Sequence, residues 1–265
     1  MTTVSSASLV EARHITRRDP LRGHVLLQPA SFVLHAGDSV SVTGPSGSGK
    51  SVFLRALALL DPLDGGEILW CGNRPGRQVI PAYRRHVAYL RQRPALIDGT
   101  VEDNLRYPFS LATYADIRFD RARAASLATQ AGRGPDFLDQ YASDLSGGEA
   151  QIVALIRVLQ LDPRVLLLDE PTASLDPASS QAIEALVRAW FTNGNDDTDA
   201  SHARASMWVS HDPAQAQRMS ARHLTMLAGE VSEPALSASV EPTGGLATPA
   251  VANAPSTRPV TGDSR

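Results

Sequence analysis

The sequence predicts an α/β fold with a mostly parallel sheet, on three observations. Segments of strand character alternate with segments of helical period along most of the chain. The continuous apolar run VLLLDE (165–170) reads as a strand buried on both faces, as strands of parallel sheets are. The glycine-rich loop GPSGSGKS (44–51) joins a strand to a helix.

The individual elements follow from local chemistry. FVLHAGDSVSVTG (32–44) holds two β-rich runs parted by a turn at Ala36-Gly37-Asp38. SVFLRALALL (51–60) carries Phe53, Leu54, Leu57 and Leu60 at helical spacing; DPLDGG breaks that helix and EILWCG returns to strand. From about Ala95 to Asp144 the pattern is helical, an inserted subdomain in which Asp120 caps RARAASLATQAG. DLSGGEAQIVALIRVL (144–159) is a further helix, opened by a Ser146–Glu149 capping box. Asp176-Pro177 supplies an N-cap and an N1 proline for a helix running to about Phe191, and SMWVSH (206–211) is another strand. TNGNDDTDASHARA (192–205) reads as a polar loop. From Val231 to Arg265 the composition is Ala, Ser, Pro, Thr and Gly without an aromatic residue, an expected disordered tail after a domain spanning 1–230.

Bulk properties narrow the function. The 265 residues are 43% hydrophobic, enough for a sizeable core, and the formal net charge of -3 gives no support to nucleic-acid binding through a basic surface. A single cysteine, Cys71, cannot form an intrachain disulfide. No apolar run approaches the roughly 18 residues of a membrane span, and the N-terminus lacks the apolar core of a signal peptide. A cytoplasmic protein is expected, with any work at a membrane done through another subunit.

Two motifs carry phosphate chemistry. Gly44, Pro45, Ser46, Gly47, Ser48, Gly49, Lys50 and Ser51 match G-x-x-x-x-G-K-[ST] between a strand and a helix. The glycines let backbone N–H groups wrap phosphates, Lys50 reaches the β- and γ-phosphates, and the Ser51 hydroxyl binds Mg²⁺. In VLLLDE, Asp169 ends a buried strand, where a carboxylate is costly unless it meets a cation. Asp169 is therefore expected at Mg²⁺, and Glu170 as the general base that polarises the attacking water. The third signal is a puzzle. Gly147 and Gly148 leave the first turn of an otherwise well-built helix bare, although each glycine costs roughly 1 kcal/mol relative to alanine. A bare helix start suits close approach of an anion.

With these residues in view, the chain resembles the nucleotide-binding subunit of ATP-binding cassette (ABC) transporters over about residues 8 to 230. GPSGSGKS resembles the Walker A motif, YLRQRP the Q-loop with Gln92, LSGGE the signature, VLLLDEP Walker B, SLD the D-loop with Asp176, and VSHD the segment of the switch histidine, His211. A lone LSGGE or a lone histidine would say little; six motifs in the family's order say much more. The resemblance implies a P-loop NTPase cassette with an antiparallel N-terminal β region and the helical subdomain at about 95–145. It implies ATP and Mg²⁺ as cofactors, with Gln92 joining Ser51 and Asp169 at the metal and His211 at the γ-phosphate. It further implies two cassettes packed head to tail, so that Ser146, Gly147, Gly148 and Glu149 face ATP held by the partner copy. An integral membrane permease is the other implied partner.

The chain departs from the family where an aromatic residue usually stacks on adenine. ITRRDPLRGHV (15–25) has none, which leaves Arg17, Arg18 or His24 to cover the base. Gln151-Ile152 also replaces the usual Gln-Arg after the signature. DGTVEDNLRYPFSLA and ALIRVLQ look most like Fet-type cassettes assigned to iron export, so the expectation is an export-type subunit on the cytoplasmic face of the membrane. The alternatives are a cassette for another cargo (lipoprotein, peptide or amino acid) and a soluble ABC ATPase without a permease.

Overall fold

The structure, a computed structural model, describes residues 7–195 and 203–233. Two sheets organise it. β1 (Ser8–Arg18) pairs antiparallel with both β2 (Val25–His35) and β4 (Gly65–Trp70), in the order β2-β1-β4. The larger sheet has the order β5-β6-β7-β3-β8-β9. In it, β3 (Ser39–Thr43), β5 (Val87–Leu90), β6 (Val165–Asp169), β7 (Ala205–Val209) and β8 (Arg222–Leu227) run parallel, and β9 (Glu230–Ser232) closes one edge antiparallel to β8. The expected parallel core and β-rich start are both present.

Strand alternation sorts side chains into two cores. Leu167 of β6 and Met207 of β7 point to one side, where α1 (Lys50–Leu57) packs under the antiparallel sheet. There Phe53 meets Phe32 edge to face, with ring centroids 6.2 Å apart. Leu166, Leu168 and Trp208 point to the other side, onto α5 (Gly147–Leu159) and α6 (Pro177–Asn195). All five residues of β6 are buried, which is why its sequence shows no polar alternation.

The stretch between β5 and α5 holds α3 (Val101–Arg106), α4 (Arg121–Gln130) and several short 3₁₀ turns; Val101, Leu105, Ala124 and Ala128 pack into the second core. The Asp120 carboxylate accepts from the N–H groups of Ala122 and Arg123, as expected of the cap of α4. α2 (Ile80–His86) leads into β5, and α7 (Pro213–Met219) follows β7.

Three boundaries differ from the sequence reading. α1 stops at Leu57, so Leu60 lies outside it and is exposed. α6 runs past Phe191 to Asn195: the Arg204 side chain crosses the bare Gly194, and the Asn195 amide is tied to the Phe191 and Arg204 carbonyls. The expected tail begins in structure, since Val231 and Ser232 lie in β9 and Glu233 pairs with Arg222 at 3.0 Å. The rest of that tail, 234–265, and loop residues 196–202 lie outside the described residues.

Candidate active site

The loop after β3 folds so tightly that only glycine fits at two of its corners. Gly44 has φ +144°, and a Cβ there would stand 2.1 Å from the Met226 carbonyl oxygen; at Gly49, φ +103°, it would stand 2.7 Å from that of Leu26. Gly49 also caps α1 without a side chain, and no acidic residue lies in the helix's first turn. The free N–H groups of that turn therefore point positive charge into the loop. Lys50 is buried, and its ammonium donates to the carbonyls of Gly44 (2.9 Å) and Pro45 (3.0 Å). Burial lowers its pKa, opposed by the nearby Glu170 and Asp169.

The parallel pairing of β5 on β6 brings two sequence-distant motifs to the same edge of this loop. Asp169, buried at the end of β6, accepts from the Ser51 hydroxyl (2.9 Å) and from the Tyr89 phenol (2.7 Å). Burial first, then Asp169, pushes the Tyr89 phenol pKa up, so it remains a donor. Ser51 and Asp169 form a hard-oxygen pair of the kind Mg²⁺ takes together with substrate phosphates. Among the described residues no cluster of three or more His, Cys, Asp or Glu could hold a metal by itself.

Glu170 adopts φ +48°, a left-handed conformation that costs a non-glycine residue on the order of 1–3 kcal/mol. The turn swings its carboxylate away from Asp169 and between two partners. Gln92 Nε2 donates to it at 3.1 Å, and His211 Nε2 lies 2.7 Å from its other oxygen. Lys50, Ser51, Gln92, Glu170 and His211 thus border one cleft of about 600 Å³. The Gln92 amide is engaged with Glu170 and not with Asp169. Of the three residues considered for the base, His24 lines this cleft; Arg17 pairs with Asp64 (2.8 Å) and Arg18 reaches the Gly23 carbonyl (3.4 Å), both outside it.

None of Ser146, Gly147, Gly148 and Glu149 lines the cleft. They form the start of α5 with the expected capping box: Glu149 N–H donates to Ser146 Oγ (3.3 Å), and the Glu149 carboxylate accepts from Ser146 N–H (3.0 Å). The two glycines are not equivalent. Gly147 is exposed, and a Cβ there would meet nothing within 4 Å. Gly148 is buried, and a Cβ there would fall 2.3 Å from Ser179 Oγ and 2.7 Å from Ser179 Cβ. Asp176 sits at the same junction, accepting from Ser179 N–H at 2.9 Å. The Ser179 side chain first, and then that backbone bond, hold its carboxyl below the usual range.

Sequence reasoning missed two features around the site. Tyr89 could have been noticed as an aromatic residue with a polar tip three positions before Gln92. Gln215 of α7 gave no signal. Its amide accepts from Ser210 Oγ (2.8 Å) and Trp208 Nε1 (3.2 Å) and donates to buried Glu184 (2.9 Å) and Thr172 Oγ1 (2.9 Å). It thereby ties the loop after β6 to the loop that carries His211.

Known proteins resemble this chain in sequence and in fold. The family model described as "ABC transporter" matches residues 27–173. Protein STAR1 of Oryza sativa subsp. japonica is 42% identical over 226 residues, 84% of this chain and 62% of the rice protein. The phosphate import ATP-binding protein PstB 2 of Natronomonas pharaonis is 36% identical over 221 residues, 80% of this chain and 75% of that one. Among solved structures, a bacterial Atm1-family ABC exporter with ATP bound superposes with a TM-score of 0.69 at 28% identity, covering 88% of this chain and 39% of the exporter. The chain thus spans less than two thirds of the rice protein and of the exporter.

Proposed function

Since the chain belongs to the ABC transporter family, we propose that it is the ATP-binding and ATP-hydrolysing subunit that energises a membrane permease. The observation that carries the chemistry is Glu170, turned to φ +48° and held between Gln92 and His211 at the border of a cleft floored by Lys50 and Ser51.

In this reading the N–H groups of the loop 44–51 and the Lys50 ammonium hold the ATP phosphates. Ser51 and Asp169 hold Mg²⁺, which when bound neutralises charge on the phosphates. Glu170 takes the proton of the attacking water, His211 donates to the γ-phosphate, and Gln92 keeps the Glu170 carboxylate aimed. His24 covers the base. Ser146 and Gly147 act on ATP held by a second copy of the chain, so the competent species is a dimer.

The partners are that second cassette and an integral membrane subunit, which places the chain on the cytoplasmic face of the membrane. No helix among the described residues is long and apolar enough to cross a membrane itself. Export is the direction supported by the resemblance of 98–112 and 154–160 to export cassettes. A relative named for import and a structure named as an exporter both match, so the cassette architecture serves either direction.

The central test is Glu170→Gln. ATP should still bind, while turnover falls about 10²–10⁴-fold, the range supplied by a positioned base. Phosphate release near the wild-type rate would overturn the assignment. Co-purification with a polytopic protein from solubilised membranes, followed by flux in vesicles, tests the permease and the direction; purification without one would favour a soluble ATPase.

A further inference from the structure

Asp169 is held by two hydroxyls, and they differ in what else they must do. Ser51 Oγ, 2.9 Å from Asp169 Oδ1, is itself assigned to the cation. With its oxygen on a metal, its single proton is all that remains for the carboxylate, so its orientation serves two partners at once. Tyr89 has no such second task. Its phenol lies 2.7 Å from Asp169 Oδ2, on the far oxygen, and comes from β5, the strand paired directly with β6. Its pairing partner in the ladder is Leu167, two residues before Asp169, so the ring is anchored in the same sheet as the carboxylate it touches.

We propose that Tyr89 is a positioning residue that fixes the rotation of the Asp169 carboxylate, so that Oδ1 faces Ser51 and the divalent cation. The proposal rests on the assignment of Ser51 and Asp169 to that cation. A buried carboxylate with one oxygen pinned by a neutral donor cannot swing about its terminal torsion, which is otherwise broad and roughly two-fold. It therefore presents a lone pair to the metal at little ordering cost. Groups that hold metal ligands from behind commonly contribute about 10–100-fold in metal affinity. The effect expected here is at or below the bottom of that range, because the phosphates of ATP supply part of the coordination.

The test compares Tyr89→Phe with the wild type in two titrations of ATP, one in EDTA and one in excess Mg²⁺. Phenylalanine keeps the ring and removes only the hydroxyl. The dissociation constant in EDTA should stay within about twofold, and the melting temperature should change little. The constant in Mg²⁺ should rise about three- to tenfold. Unchanged constants in both titrations would overturn the proposal. An equal weakening in both would also overturn it, because it would mean that the hydroxyl supports the nucleotide pocket in general. Tighter binding in Mg²⁺ would likewise count against it, by showing that the phenol competes with the metal for the carboxylate. Asp169→Asn serves as the control. It should lose the benefit of Mg²⁺ at least as fully as Tyr89→Phe, and a normal benefit in Asp169→Asn would locate the failure in the metal assignment and not in Tyr89.

Discussion

The loop 44–51 and the start of α5 are built on opposite plans. Around the loop 44–51 every charged group has a partner within the chain: Lys50 on two carbonyls, Asp169 on two hydroxyls, Glu170 on Gln92 and His211. At the start of α5 the Glu149 carboxylate divides between capping the helix and pairing with Arg133 (3.3 Å), and Gly147 is exposed, with nothing within 4 Å of where its Cβ would stand. The first region is a self-contained pocket. In the proposed reading the second is half of a site completed by another copy of the chain, and bare backbone is what allows another molecule to come close.

The largest effect should come from breaking the first region. Lys50→Ala removes a cation whose hydrogen bonds to phosphate are each worth roughly 1.5–3 kcal/mol. ATP affinity should fall about ten- to a hundredfold and turnover should be lost, as read by nucleotide titration and phosphate release. Next comes the second region, tested in a chain that binds ATP without hydrolysing it. Glu170→Gln should dimerise with Mg-ATP and not with ADP, and adding Gly147→Asp should abolish the dimer while leaving monomer binding intact. The introduced carboxylate would stand where the partner's phosphate approaches, and such like-charge contacts cost several kcal/mol at low effective dielectric. Light scattering reads the outcome, and a dimer persisting in the double variant would break the contrast between the regions.

A smaller effect separates the two glycines. Gly148→Ala should lower stability by about 1–3 kcal/mol, the usual cost of overpacking, seen as a drop in melting temperature of a few degrees. Gly147→Ala should be neutral or stabilising by up to ~1 kcal/mol in the monomer, because alanine is the better helix former and meets nothing. The smallest effect concerns Glu149, whose carboxyl is held below its usual range by the backbone and side chain of Ser146 and then by Arg133. A depressed folded-state pKa stabilises above the normal glutamate range, and the contribution fades as pH falls through the folded value. Glu149→Gln should therefore cost under about 1 kcal/mol at neutral pH and show less loss on acidification than the wild type, measured by denaturant titration across pH.

What the sequence disclosed and what it hid divide along the distance between partners. The loop 44–51, the run 165–170 and the caps Asp120 and Ser146 are local patterns, and each is present where its residues indicate. Tyr89 meets Asp169 across 80 positions, a contact made only once β5 pairs with β6. Gln215 reaches Glu184 and Thr172 in the same manner. The end of α6 is hidden because TNGN is polar and glycine-containing and so reads as a loop, whereas the structure uses Gly194 to pass Arg204 and Asn195 to close the turn. The sequence does not tell the two glycines apart: the Cβ side of Gly147 is open, whereas that of Gly148 faces Ser179 of its own chain.

That last contact couples the head of α5 to the head of α6. Ser179 occupies the space a side chain at 148 would need, and both its Cβ and its Oγ intrude. Serine to alanine at 179 clears only one of the two atoms, so room for any residue larger than glycine at 148 opens only after 179 itself has become glycine. The two positions are therefore coupled: a side chain at 148 carries the overpacking cost while Ser179 is present and loses most of it once 179 is glycine.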